Sequence, residues 1–222
     1  MSVIFFIACF IFSIYILYVL VKHDFIIARK SLLLQEIFDA TLVACIAFIF
    51  SGRLLYALSM QRFDLINPIR FFHFLKFPGA LFLGGVFGFG LVIYFMFRKK
   101  KILARLFDIY SLSMLPLFIF TLVFSFNKGY FLYFNILIFL LSLLFMAIGI
   151  HTYKNYTLKD GSTAFLFICL ITVYTIISEF SNTGRFIFSF FSISQVLSIS
   201  VFMVFAVLLL IREGILGGKK SK

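Results

Sequence analysis

Seven long apolar runs, separated by short polar interruptions, constrain this chain more than any other feature. They fall at about 3–21, 39–58, 78–97, 108–125, 130–151, 162–180 and 193–211. A bilayer core takes roughly 20 apolar residues per helical crossing, and each run is close to that length. Hydrocarbon offers backbone groups no hydrogen bonds, so such runs cross as helices that pair their own amides. Of 222 residues, 64% are hydrophobic, and the mean hydropathy is +1.16, which leaves no chain for a soluble domain. The expected fold is all-α: a polytopic integral membrane bundle of about seven transmembrane helices, forming a single transmembrane domain over 1–222.

The boundaries carry further information. Phe126, Asn127, Lys128 and Gly129 alone separate the fourth and fifth runs, so these two read as a helical hairpin. The first run has no basic region ahead of it, and Val21 is followed directly by Lys22, His23 and Asp24 rather than by a small-residue cleavage site. It is expected to stay as an uncleaved span.

Lys and Arg set the orientation. With seven spans, fourteen of them fall on one side, from Lys22, Arg29 and Lys30 to Arg212, Lys219, Lys220 and Lys222; five, Arg62, Arg70, Lys76, Lys128 and Arg185, fall on the other. The richer side is expected in the cytoplasm, with the N-terminus outside and the C-terminus inside. The stretch 59–77 then lies outside, where its mixture of apolar residues with Arg62, Asp64, Arg70, His73 and Lys76 suits a segment along the membrane surface.

The net charge of +12 does not indicate a nucleic-acid partner, because the basic residues interrupt apolar runs instead of forming an aromatic-interleaved patch. They read as topology signals and contacts to anionic lipid. Cys9, Cys45 and Cys169 all lie inside apolar runs and read as small core residues.

A charge at bilayer depth costs at least about 2.5 kcal/mol and must face protein or a water-filled cavity. Arg53 in the second run, Asp108 at the start of the fourth, Glu179 near the outer end of the sixth and the polar Gln195 in the seventh therefore stand out. Asp108 reads as a cap at its own helix start, beside Arg105 and the headgroups. Arg53 and Glu179 suit either a buried pair between helices or the binding of a polar head group. Gly79, Gly84, Gly85, Gly88 and Gly90 allow a close helix approach, with Gly84 and Gly88 as a small-xxx-small pair; they also allow a lipid to approach the backbone. His23, His73 and His151 are too scattered for a metal site or a catalytic triad, and neither a metal nor a cofactor is expected.

Four fragments in one order resemble the prolipoprotein diacylglyceryl transferases, bacterial inner-membrane enzymes of seven helices. Ser51-Gly52-Arg53-Leu54-Leu55-Tyr56-Ala57-Leu58, followed by Asn67-Pro68, is similar to the family's Gly-Gly-Arg-Leu-Gly-Tyr-Val-Leu segment. Gly79-Ala80-Leu81-Phe82-Leu83-Gly84-Gly85 resembles Gly-Gly-Met-Ser-Phe-His-Gly-Gly and is followed by a basic loop and Asp108. Ser178-Glu179-Phe180 resembles Val-Glu-Phe-Phe, and Phe191 to Ser198 resembles Leu-Ser-Met-Gly-Gln-Ile-Leu-Ser. The resemblance covers about 40–211.

That resemblance implies transfer of a diacylglyceryl group from phosphatidylglycerol to the thiol of a lipobox cysteine in a preprolipoprotein, with release of glycerol phosphate, in the bacterial inner membrane. It implies lipid binding by Arg53, Gly84, Gly85, Glu179 and Gln195. The chain departs from the family at its chemistry. Leu83 replaces the motif histidine, Thr175 stands where an arginine is expected, and Phe118 to Asn127 replaces the Gly-Arg-Leu-Gly-Asn-Phe-Ile-Asn-Gly-Glu signature. The periplasmic head segment between the fourth and fifth spans is reduced to Phe126–Gly129. Leucine cannot take a proton from a thiol, which leaves His73 and Arg185 as the outer-side substitutes. The alternative is a non-catalytic protein that keeps the scaffold to bind phospholipid or a partner.

Overall fold

The computed structural model describes residues 2–30, 32–59, 81–100, 102–125, 132–155, 158–180 and 193–214. Eight helices form among them: α1 (Ser2–Lys22), α2 (Phe25–Arg29), α3 (Leu34–Ser59), α4 (Phe82–Phe97), α5 (Leu103–Ser125), α6 (Leu132–Lys154), α7 (Ser162–Phe180) and α8 (Ile193–Glu213). Every one but α2 overlies one of the apolar runs. Four stretches are long and apolar enough to cross a membrane: Leu34–Ser59, Leu103–Val123, Ile136–Tyr153 and Ser194–Glu213. Ile7–Lys22, Phe82–Phe97 and Ser162–Ser178 are shorter apolar helices. The hairpin turn at 126–129 and nearly all of the surface segment at 59–77 lie outside the described residues.

Helix boundaries extend past the apolar runs where local chemistry allows. α3 begins at Leu34 and carries Gln35, Glu36 and Asp39 in its first turns, with Glu36 favourably placed near the positive end of the helix dipole. α5 begins at Leu103, so Asp108 lies in its second turn rather than at its start. Hydroxyls within the helices bond back to their own turns: Ser111 to the Asp108 carbonyl (2.8 Å), Ser142 to Ile138 (2.7 Å) and Thr175 to Ile171 (2.8 Å). This local bonding lets serine and threonine sit in apolar helices without a partner on a neighbour.

Contacts divide the chain into two compact units. The first comprises Met1–Ser31, Ala104–Leu170 and Phe202–Lys222. Its centre is α5, of whose apolar stretch 67% is buried. Leu106, Ile109, Leu112, Leu115 and Phe118 are enclosed there, and Phe118 meets Phe167 of α7 edge to face at 6.3 Å. The outer helices of this unit turn large apolar side chains outward: Ile11 is 60% exposed, Leu140 58% and Met203 60%. Exposed apolar faces running the length of several helices exceed what water tolerates and are the pattern of a protein embedded in a membrane.

The second unit comprises Leu32–Leu103 and Ile171–Val201. Here α3 and α4 lie against each other at very short range. A Cβ added at Gly84 would stand 2.8 Å from the Leu55 Cβ; at Gly85, 2.7 Å from the Phe48 ring; at Gly88, 2.8 Å from the Ala47 carbonyl oxygen and 2.5 Å from the Ser51 Cβ. The glycines thus make room for α3, as the small-xxx-small pattern implies. Cys9, Cys45 and Cys169 lie half-buried along their helices.

Candidate functional site

The polar side chains that apolar runs should not contain fall into two groups, one in each unit. In the second unit the central residue is Arg53, fully buried on α3. The preceding residue, Gly52, accepts a hydrogen bond from the Leu81 amide at 3.0 Å, and a Cβ at Gly52 would lie 3.0 Å from the Leu81 carbonyl oxygen. That contact brings the N-terminus of α4 to Gly52, one residue from the arginine. The cap residue of α4 is Leu81, extended at φ −90° and ψ 121°, and it supplies no side-chain oxygen to the first turn. A helix start carries partial positive charge. Arg53 thus follows directly on the residue that meets the start of α4, while Gly84 and Gly85 pack against Leu55, Ser51 and Phe48 of α3.

Gln195 lies in the same unit, 1% exposed on α8, and its Nε2 donates to the Ile176 carbonyl of α7 at 3.3 Å. The link falls one turn before Glu179, which also belongs to α7; the Glu179 side chain is outside the described residues. The five lipid-binding residues expected from the sequence, Arg53, Gly84, Gly85, Glu179 and Gln195, thus all belong to the second unit. His73 and Arg185 lie outside the described residues. Leu83, at the position of the family's histidine, is buried at 3% exposure. Thr175 is buried as well and spends its hydroxyl on its own helix.

The second polar group, in the first unit, was only partly legible from the sequence. Asp24 receives the Ile26 and Ile27 amides at 2.9 and 3.1 Å, which starts α2. Its other oxygen takes Arg105 Nε at 2.8 Å and the Tyr153 hydroxyl. Arg105 also donates to Asp160 at 3.2 Å and to the Tyr153 carbonyl at 3.3 Å, while its guanidinium lies 3.6 Å from the centre of the Tyr153 ring. Arg105 and Asp24 have 3% and no side-chain exposure, respectively, so this is a buried pair with further hydrogen bonds on both partners.

Asp108 extends the same end of the unit. It accepts the Gly161 amide at 2.5 Å and the Ala164 amide at 2.8 Å, and so caps α7 instead of α5. Gly161 adopts φ +94°, a left-handed conformation that suits glycine, to present its N–H there. Nearby, Lys159 Nζ donates to the Arg212 carbonyl at 2.6 Å, and the Ser162 hydroxyl donates to Glu213. The sequence signals for these caps were Asp24 ahead of an apolar stretch and Asp160-Gly161-Ser162-Thr163 ahead of a helix. The partners had no such signal.

No family model matches the chain, and no curated protein or solved structure is similar to it.

Proposed function

We propose that this chain is a seven-span protein of the bacterial inner membrane that holds the headgroup of an anionic phospholipid, phosphatidylglycerol in the first instance, at Arg53. The observation that carries this reading is the fully buried Arg53 on α3, next in sequence to Gly52, which holds the start of α4. A phosphate diester accepts the fork of hydrogen bonds that a guanidinium offers, and its charge is of the opposite sign.

The end-to-end ties of the first unit support the topology. They gather the end of α1, the start of α5, the end of α6, the start of α7 and the end of α8. Asp24, Arg105, Tyr153, Lys159, Asp160, Arg212 and Glu213 accordingly share one face, the side assigned to the cytoplasm by its excess of Lys and Arg. The N-terminus of α1 then faces out.

The order of the four fragments favours a second reading, diacylglyceryl transfer. In that reaction the cysteine sulfur of a preprolipoprotein forms a bond to the glyceryl carbon, the carbon–oxygen bond to phosphate breaks, and glycerol phosphate leaves with the electron pair. Leu83 cannot accept the thiol proton, so the transfer reading requires a substitute such as His73 or Arg185.

One preparation separates the readings. Purified protein is incubated with labelled phosphatidylglycerol, with and without a lipobox peptide. The binding reading expects co-purifying label of which Arg53→Ala removes a distinct share, with no glycerol phosphate above background. Release of glycerol phosphate that depends on both peptide and Arg53 establishes the transferase reading. Label in Arg53→Ala undiminished from the wild type, with no release, overturns both.

A further inference from the structure

The short helix α2 has no counterpart among the apolar runs, and its two faces differ. Ile27 is buried at 2% exposure and anchors the helix inward. Phe25, Ile26, Arg29 and Lys30, spaced as one face of a helix, line a surface cavity of about 360 Å³. Phe25 is 72% exposed, and Arg29 and Lys30 are exposed too. Among the described residues the lining therefore has one aromatic and one aliphatic wall, two cations and no acidic residue.

This face is held in place. Asp24 starts α2 through two backbone amides and is itself fixed by Arg105 and Tyr153. α2 follows the end of α1 after only His23 and Asp24, so it sits where a membrane helix gives way to headgroups. A short rigid element at that depth, basic toward water and apolar toward lipid, matches an interfacial anchor.

We infer that α2 forms a binding site for one anionic phospholipid of the adjoining leaflet, with Arg29 and Lys30 on its phosphate and Phe25 and Ile26 against the first carbons of its acyl chains. Charge complementarity selects the occupant. A zwitterionic headgroup offsets its phosphate with its own cation, and a soluble anion gains nothing from the Phe25 wall. The site belongs to the first unit, apart from Arg53, and does not depend on the reading given for Arg53.

Native mass spectrometry of the full-length protein in detergent tests the site, using phosphatidylglycerol and phosphatidylcholine with identical chains. The wild type is expected to prefer phosphatidylglycerol. Arg29→Gln and Lys30→Gln are each expected to weaken that binding about fivefold while leaving phosphatidylcholine unchanged. Arg29→Lys retains most of the affinity, and Phe25→Ala weakens both lipids alike. These residues are exposed, so the folded state is expected to persist, with helicity measured in parallel. Arg53→Ala keeps the component that Arg29→Gln removes, which separates the two sites. Equal binding of the two lipids, an Arg29→Gln/Lys30→Gln variant that binds like the wild type, or full competition by glycerol 3-phosphate would each overturn the proposal.

Discussion

At the charged end of the first unit, helices meet through long side chains that reach across; at the α3–α4 crossing of the second, they meet because side chains are missing. Arg105 touches Asp24, Asp160 and Tyr153, residues distant in the chain, and each contact specifies both distance and direction. Gly84, Gly85 and Gly88 specify only closeness. In hydrocarbon, apolar side chains gain little by leaving lipid for one another, so helices need packing or polar ties to associate. The protein uses one device in each unit. The polar ties fail abruptly when a partner is lost, whereas the crossing fails in proportion to the volume added.

The largest effect should come from Arg105→Leu. It leaves Asp24 as a buried charge without its cation, at a cost of about 3–5 kcal/mol, read as a lowered unfolding midpoint in detergent. Asp24→Asn in the same chain removes that charge while keeping a cap for α2, and should recover part of the loss. Strictly additive losses would mean that the pair is not coupled.

Next, Gly88→Ala should cost about 1–3 kcal/mol, because the new methyl meets the Ala47 carbonyl, which is backbone and cannot swing away. Gly149→Ala in the first unit sharpens the comparison. There the methyl meets Leu112 Cδ2 at 2.6 Å, the far end of a side chain that can rotate, so the loss should be clearly smaller. Equal losses at the two positions would contradict the rigid-crossing account.

Asp108→Ala should cost about 1–2 kcal/mol by removing the cap of α7, and hydrogen exchange should show the amides of Gly161 and Ala164 losing protection first. The smallest effect is expected at the Lys100–Glu36 pair, 2.6 Å apart with side chains 41% and 43% exposed. Lys100→Ala should change stability by less than about 1 kcal/mol, and added salt should mask even that.

The positions of the helices were legible because apolar run length is a local property, visible in any window of the chain. Arg53 and Gln195 were legible for the same reason: a polar residue inside such a run must be enclosed, and both are. The caps were half legible. Asp108 is indeed a cap, but for α7, since nothing in a linear sequence says which helix start will lie beside a carboxylate. Tyr153 at the end of a span looks like an ordinary interfacial aromatic; its bond to Asp24 crosses 129 positions. α2 escaped notice because five residues are too few to show a period. The hydrogen bond from Leu81 to Gly52, which brings α4 to the arginine, likewise depends on a crossing that composition does not encode.

Asp24 also bears on how the protein is made. It leaves the ribosome 81 residues before Arg105 and 129 before Tyr153. Through that interval the end of α1 carries a carboxylate without its later partners, and such a group resists entry into hydrocarbon. Once Arg105 and Tyr153 arrive, the carboxylate becomes the point on which α5 and α6 close.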